Sequence, residues 1–487
     1  MNTRSPSYGD FIQAVRAYPT SHFIETLAAI AAATNGWDTE LKPRMRPPWA
    51  VAAMVRESIV TGNEHRHGIL DLRSLNRLFN RFNHAHDKYG HDIQTLLTPI
   101  LYEQTAYQDS PYLGLTRSIA LYDDQIPGCR PWPWEDVFGV PLPEVVASVF
   151  IIQAITQTSG GRYVESQEEL EAILSAVGFG IDYRSVADRL TRTISDMKSA
   201  ATSVPSESPA HRRFDYNPLI RTPLVRTTNG VFAPVPELIV SAVSASTLYH
   251  FGRDCWGNAF TQDLGSRVQA YVGRQFSLGL DAFEVHPEVE YAKGQRTADW
   301  FLSHPDATII VECKASRASI AARYGGAALD QQVQRDIARA KKQIDDTARL
   351  LRSGHPTLAH VHRTDRPIYG LILTAEPFYL LGVDHTQELK TGIPTMLGAL
   401  RDIETLMSRP SIDVIPALVR VATDPEKVGW PLGNALMDDA SPGTNKLLDD
   451  VWKRIPMIGL IPDDTSESTW GSMKSLASPS RDGASHG

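Results

Sequence analysis

Asp299, Glu312 and Lys314 are the residues of this 487-residue chain whose types and spacing best suit chemistry. Asp299 opens an apolar stretch, and Glu312 and Lys314 close the next one after Ile309-Ile310-Val311. Side chains alternate along a strand, so Glu312 and Lys314 share a face and Cys313 takes the other. If the two stretches pair as a hairpin, Asp299 joins them. Two carboxylates and an ammonium at one point on a sheet suit a hard divalent cation and phosphodiester cleavage.

Glu-x-Lys is common, and the chain holds it at Glu40, Glu312 and Glu388. Glu40 lies in a polar, Pro-flanked segment and Glu388 follows a loop-like Asp-His-Thr-Gln. Only Glu312 ends a β-branched run with an Asp-led strand upstream. Taken alone, the tripeptide reads as an ordinary solvated strand end.

The surrounding elements set it apart. Asn258 to Phe276 reads as a helix, with Phe260, Leu264, Val268, Tyr271 and Val272 on one stripe. Phe283 to Tyr291 reads as a strand, with Val285 and Val289 on one face and Glu284, Glu288 and Glu290 on the other. Lys293-Gly294 is a turn. After the two motif strands, Gly325-Gly326 precedes a long helix from about Ala327 to Leu351, with Val333, Ile337, Ala340, Ile344, Thr347 and Leu351 as its buried stripe. Ile368 to Thr374 is a continuous apolar strand suited to a sheet interior.

This order of helix, three strands, helix and strand, with the motif on the second and third strands, resembles the PD-(D/E)XK nuclease superfamily. The likeness covers residues 255–382, about a quarter of the chain. It implies an α/β fold with a restriction-endonuclease-like α-β-β-β-α-β core, here beside a large, mostly helical N-terminal region. Asp299 matches the first acidic position, Glu312 the second and Lys314 the lysine. Members often add a Gln on the following helix, for which Gln343 is the choice and Gln334 the competitor. The Pro that usually precedes the Asp is Ala298 here. Some families place a Glu on the first helix. Gln269 holds the comparable place, with Asp263 as a weaker alternative.

The implied activity is Mg²⁺-dependent endonucleolytic hydrolysis, with Mn²⁺ as a substitute. Asp299 and Glu312 are the expected metal ligands, and Asp299, Glu312, Lys314 and Gln343 the expected catalytic set. The cation would activate water and neutralise charge on the phosphoryl group. Mg²⁺ uses few protein carboxylates, so a sparse site suffices. Lys314 would orient the water or steady the phosphorane, and Gln343 would position the water or hold Lys314. Glu288 and Glu290 could add a ligand, although an exposed polar strand face is the plainer reading.

DNA is the expected substrate, favoured over RNA, with restriction or defence against foreign DNA as the analogous role. The alternative is a non-catalytic nucleic-acid-binding or scaffolding protein of the same fold. The helical N-terminal region would recognise substrate, a partner protein or a second copy.

Net charge is −8, so no global attraction to nucleic acid exists. From Gly252 to Gly382 there are 16 Lys+Arg against 15 Asp+Glu, which makes this stretch the least acidic part. Arg317, Arg323, Arg335, Arg339, Lys341 and Lys342 follow the motif and could contact phosphates, or form a solvated face.

Cys129, Cys255 and Cys313 have no metal-ligand spacing and fit a reducing compartment. The polar N-terminus lacks a signal-peptide core. Val145 to Ile155 is too short to span a bilayer. The expectation is a cytoplasmic protein without membrane contact.

Along the chain the expected divisions are 1–130, a helical domain; 131–202, a helical segment; 203–254, linker, hairpin and helix; 255–382, the nuclease-like domain; 383–462, a mixed segment with a strand at Ile412 to Ala422; and 463–487, a disordered tail. Asn229-Gly230 marks the hairpin. His360-Val-His362 and His286 are weak metal or proton-transfer candidates. Trp132, Trp134, Tyr249 and His250 read as packing residues.

Overall fold

Five strands build the central sheet of the computed structural model, which describes residues 7–37, 46–85, 93–107, 110–165, 180–204, 209–324, 326–361, 365–380, 389, 392–427, 430–437 and 443–456. They are β1 (Glu284–Pro287), β2 (Trp300–His304), β3 (Ala307–Lys314), β4 (Ile368–Thr374) and β5 (Thr395–Ala399). Their order is β5-β4-β3-β2-β1. The β1–β2 and β2–β3 pairs are antiparallel, while β3–β4 and β4–β5 are parallel. Ile309, Ile310 and Val311 lie in the third of five strands and are fully buried on both faces, which explains their unbroken apolar run.

Helices cover both faces, giving a mixed α/β architecture. On one side α1 (Ala245–Phe276) packs Val268, Tyr271 and Val272 against Leu302, Ile309 and Val311. Gly257 interrupts this helix at φ 60°, a conformation open to glycine, so the predicted start at Asn258 marks a real second half. On the other side, α2 (Ile320–Arg323) is followed by an eight-residue helix at Gly326–Val333, a π-turn at Gln334–Ala338 and α3 (Arg339–Arg352). Ile344 and Ala348 of α3 pack with Phe301, Ile310 and Ile372. Every residue of the predicted stripe from Val333 to Leu351 is buried. The π-turn keeps Ile337 inward across the join.

The N-terminal region is helical as expected, from Tyr8–Val15 through Pro48–Thr61 and Ile93–Thr105 to Pro111–Tyr122. The apolar interior runs across the expected divisions: one cluster extends from Leu115 to Ile455 and includes Val149, Leu248, Ile309 and Leu418. The stretch 135–158 is longer than the apolar run read from sequence. It is the one helical stretch among the described residues long and apolar enough to cross a membrane, and 67% of its apolar window is buried inside the protein. The hairpin is present as Leu224–Thr227 against Gly230–Phe232.

Three local readings are corrected. Phe283 to Tyr291 is not one strand. β1 stops at Pro287, which cannot continue the ladder, and Glu290–Ala292 pairs instead with Gln295–Arg296. The break sends Val285 and Val289 to opposite core clusters. Ile412 to Ala422 is not a strand but lies in the helix Ser411–Thr423. Its buried residues Val414, Ile415, Leu418, Val421 and Ala422 follow helical spacing, and that periodicity outweighs β-branched composition. Within the expected helical segment 131–202, the described part holds a strand, Thr191–Thr193, between the helices Tyr183–Arg189 and Ile194–Thr202. The expected tail lies outside the described residues.

Candidate active site

The pairing of β2 with β3 matches Trp300 to Val311 and Phe301 to Ile310. One step further along the same register, Asp299 stands opposite Glu312, on the face that Phe301 and Ile310 share with α3. The β1–β2 register ends with Pro287 opposite Trp300, and Glu288, the next residue, adds its charge to that of Asp299. Two carboxylates, Asp299 and Glu312, therefore share a row across the sheet.

Packing enforces this orientation. Trp300 turns to the α1 side, where its indole donates to the Gln269 carbonyl at 3.0 Å. A Cβ at Gly273 would sit 2.2 Å from that ring, so glycine is what lets helix and strand approach. Asp299, next in the strand, must face the other way. Its Oδ2 accepts the Cys313 amide at 2.7 Å, which ties it to β3. Cys313 packs on the α1 side, as alternation requires.

Glu312 is 2% exposed. Its Oε1 accepts Lys314 Nζ at 2.5 Å, and its buried Oε2 has no hydrogen-bond partner. Burial, reinforced by Asp299 and opposed by Lys314, pushes the Glu312 carboxyl up to about 7. Burial also raises Asp299, with Glu288 adding to the effect and the Cys313 amide and Lys314 opposing it. The pair is thus short of positive charge, and one buried carboxylate oxygen of Glu312 is left without a hydrogen-bond partner.

A divalent cation fits this donor set. It would satisfy Glu312 Oε2 and relieve the repulsion from Asp299, both hard oxygen ligands. Among the described residues no group of three or more His, Cys, Asp or Glu is arranged to hold a metal. Glu288 is engaged by Arg296 at 2.7 Å, and Glu290 accepts the Gly294 amide in its turn. Two protein carboxylates are few, which suits Mg²⁺ better than Zn²⁺.

The remaining candidates divide. Gln343 donates to the Thr297 carbonyl at 3.2 Å, so it holds the segment leading into Asp299 rather than Lys314. One turn on, Thr347 Oγ1 accepts the Ala298 amide at 2.9 Å. Sequence reasoning read Thr347 only as part of the apolar stripe; its place four residues after Gln343 was the available signal. Gln334 is exposed on the π-turn. On α1, Gln269 adjoins Trp300, on the opposite face of the sheet from Asp299. Asp263 is occupied by Arg267, Trp132 and the Arg130 amide. Neither supplies a further acid to this row.

The basic cluster is not one surface. Arg317 is buried against Glu376 at 2.9 Å, and Arg323 reaches the same carboxylate at 3.3 Å. Arg335 pairs with Asp336, and Lys341 is buried against Asp345. Arg339 and Lys342 do reach solvent. With Arg296, Tyr291 and Gln343 they line a groove on the α3 side, where Asp346 is the acid and partners Lys342. His286 pairs with Glu284 and its ring meets His360 edge-on at 5.3 Å; His362 lies outside the described residues. Trp132, Trp134 and Tyr249 pack around Phe260. The three cysteines are free.

The chain matches no family model, no curated protein and no solved structure.

Proposed function

We propose that this chain is a divalent-cation-dependent nuclease of the PD-(D/E)XK type, with a restriction-endonuclease-like core, that hydrolyses phosphodiester bonds in DNA within the cytoplasm. The observation that carries the reading is the cross-strand pair Asp299–Glu312, with Lys314 on Glu312 and a buried carboxylate oxygen left without a partner. The sequence of α1, β1 to β3, α3 and β4 supports it, because the pair then occurs where the resemblance expects it.

Asp299 and Glu312 would hold Mg²⁺ or Mn²⁺, which supplies activation of water and neutralisation of phosphoryl charge. Lys314 presents its ammonium beside the carboxylates, where it orients the attacking water and stabilises negative charge on the phosphoryl oxygens. Gln343 and Thr347 fix the Thr297–Ala298 backbone and so the direction of Asp299. Arg296, Arg339 and Lys342 meet flanking phosphates, which position a strand without reading its sequence. Restriction or defence against foreign DNA is the role that this chemistry serves by analogy.

The test is a cleavage panel of single-strand, duplex, branched and modified DNA, plus RNA, with Mg²⁺ or Mn²⁺. DNA cutting is expected, with loss of at least about a thousandfold in Glu312→Ala and Lys314→Ala, roughly 4 kcal/mol of barrier. Unchanged cutting in both variants sinks the site. No cutting of any substrate by the wild type moves the protein to the scaffold class, and cutting of RNA alone changes the substrate.

A further inference from the structure

Glu288 stands beside the candidate cation site and is held out of it. β1 ends with Pro287 opposite Trp300. Two residues on, the Thr297 amide donates to the Val289 carbonyl at 3.0 Å, and the Val289 amide donates to Thr297 Oγ1 at 2.9 Å. Glu288 is thus pinned from both sides against the Ala298–Asp299 step. Its charge is felt at the Asp299 carboxyl, where it adds to the rise that burial sets. Among the described residues these carboxylates are not gathered into a metal-holding group of three.

Arg296 is what keeps Glu288 apart. Its Nη1 lies 2.7 Å from Glu288 Oε1, and the two side chains are 60% and 26% exposed. An ion pair this open to water is weak and exchanges easily. Arg296 ends a two-stranded hairpin, Glu290–Ala292 against Gln295–Arg296, that joins no strand of the central sheet. Its guanidinium can therefore turn without disturbing β2 or β3. It also lines the groove that holds Arg339 and Lys342.

These neighbours give Arg296 two possible partners. A phosphate in the groove offers the guanidinium paired oxygens and more charge than one carboxylate does. Once Arg296 turns to it, Glu288 is left uncompensated next to Asp299. Glu312 Oε2, buried and without a hydrogen-bond partner, belongs to the same charge shortage. A hard divalent cation with oxygen ligands is the partner that relieves all three carboxylates.

We infer that Glu288 is a third ligand of the cation, kept back by Arg296 until a substrate phosphate draws that arginine away. This rests on the reading of Asp299 and Glu312 as cation ligands. It makes cation and nucleic acid strand bind cooperatively, each raising the affinity for the other by the same factor. Without a strand the cation meets two carboxylates; with one it meets three.

The test reads Mn²⁺ binding to the full chain by calorimetry without nucleic acid, and binding of a labelled DNA duplex by fluorescence anisotropy in EDTA. Neither readout depends on cleavage. Arg296→Ala releases Glu288 and should tighten Mn²⁺ about tenfold, within the usual range of coupling between sites. Arg339→Ala removes the same charge from the same groove and should change Mn²⁺ affinity much less. Glu288→Gln releases Arg296 and should tighten the duplex. Adding Glu288→Gln to Arg296→Ala should erase the Mn²⁺ gain, and adding Arg296→Ala to Glu288→Gln should erase the duplex gain. Thermal melting establishes that each variant is folded. Glu312→Gln separates the two readings. If it binds Mn²⁺ as the wild type does, the cation site fails and this inference with it. If it loses Mn²⁺ while Arg296→Ala gains none, or keeps its gain when Glu288→Gln is added, Glu288 is no ligand and only this inference falls. A duplex affinity unmoved by Glu288→Gln removes phosphate as the trigger and likewise overturns it.

Discussion

Glu312 and Glu376 are both buried carboxylates beside cationic side chains, and their environments drive them in opposite directions. At Glu376, burial would raise the carboxyl, but Arg317, Arg323 and the Ser246 hydroxyl together hold it below the ordinary range. Both its oxygens are engaged, at 2.6 and 2.9 Å on one and 3.3 Å on the other. At Glu312, burial and Asp299 outweigh a single lysine, and the carboxyl rises to about 7. The first is a completed ion pair that fastens the segment after β3 to α1 and to the end of β4. The second is left incomplete. On the proposed reading, the charge shortage at Glu312 is a place for a ligand, whereas the satisfied Glu376 pair of similar burial is architecture.

Breaking the completed pair should have the largest effect on stability. Glu376→Gln leaves Arg317 buried without a counter-charge and should cost about 3–5 kcal/mol, measured by denaturant unfolding. Glu312→Gln should cost far less, and equal losses in the two variants would erase the contrast.

The second expectation concerns pH in metal-free protein. A carboxyl raised in the folded state favours folding below its unfolded value and loses that contribution as pH rises through the folded value. For Glu312 the window runs from 4.5 to about 7, worth about 3 kcal/mol at most. Glu237 is also raised to about 7, by burial, and titrates in the same window. The difference between wild type and Glu312→Gln isolates the Glu312 share. Glu376 has the opposite sign: its stabilisation is lost only as pH falls through its lowered value. A flat difference between wild type and Glu312→Gln across pH 4.5–7 contradicts the assignment.

Third, saturating Mg²⁺ or Mn²⁺ should stabilise the wild type by about 1–3 kcal/mol near neutral pH and leave Glu312→Gln unmoved, as read by thermal melting. An equal shift in both variants would place the cation elsewhere. The smallest effect is expected at Arg339. Arg339→Ala should weaken DNA binding evenly across sequences and lower the salt slope by about one, while cleavage of bound DNA persists. A sequence-dependent loss would argue against a backbone contact.

The heart of the site was legible because it rests on strand alternation. Ile309 to Lys314 and Ile368 to Thr374 are local patterns, and the hairpin register then fixes Asp299 against Glu312. Parts that depend on distant partners were not legible. Arg317 reads as a phosphate contact or part of a solvated face because Glu376, its partner, lies 59 residues further on. The first strand was drawn too long because Pro287 ends one ladder and the next three-residue strand begins almost at once. Ser411–Thr423 carries β-branched residues at helical spacing, so composition points to a strand where period points to a helix. Arg213 pairs with Glu103 across 110 residues, so no sequence window contains both.

The bond from the Cys313 amide to Asp299 has a consequence for how this chain errs. A one-residue slip of β2 on β3 would turn Asp299 to the α1 side and undo that bond. The acid that would do the chemistry thus also acts as a proofreading mark for the strand pairing beside it. A misregistered chain would lose its lock and its candidate activity in the same event.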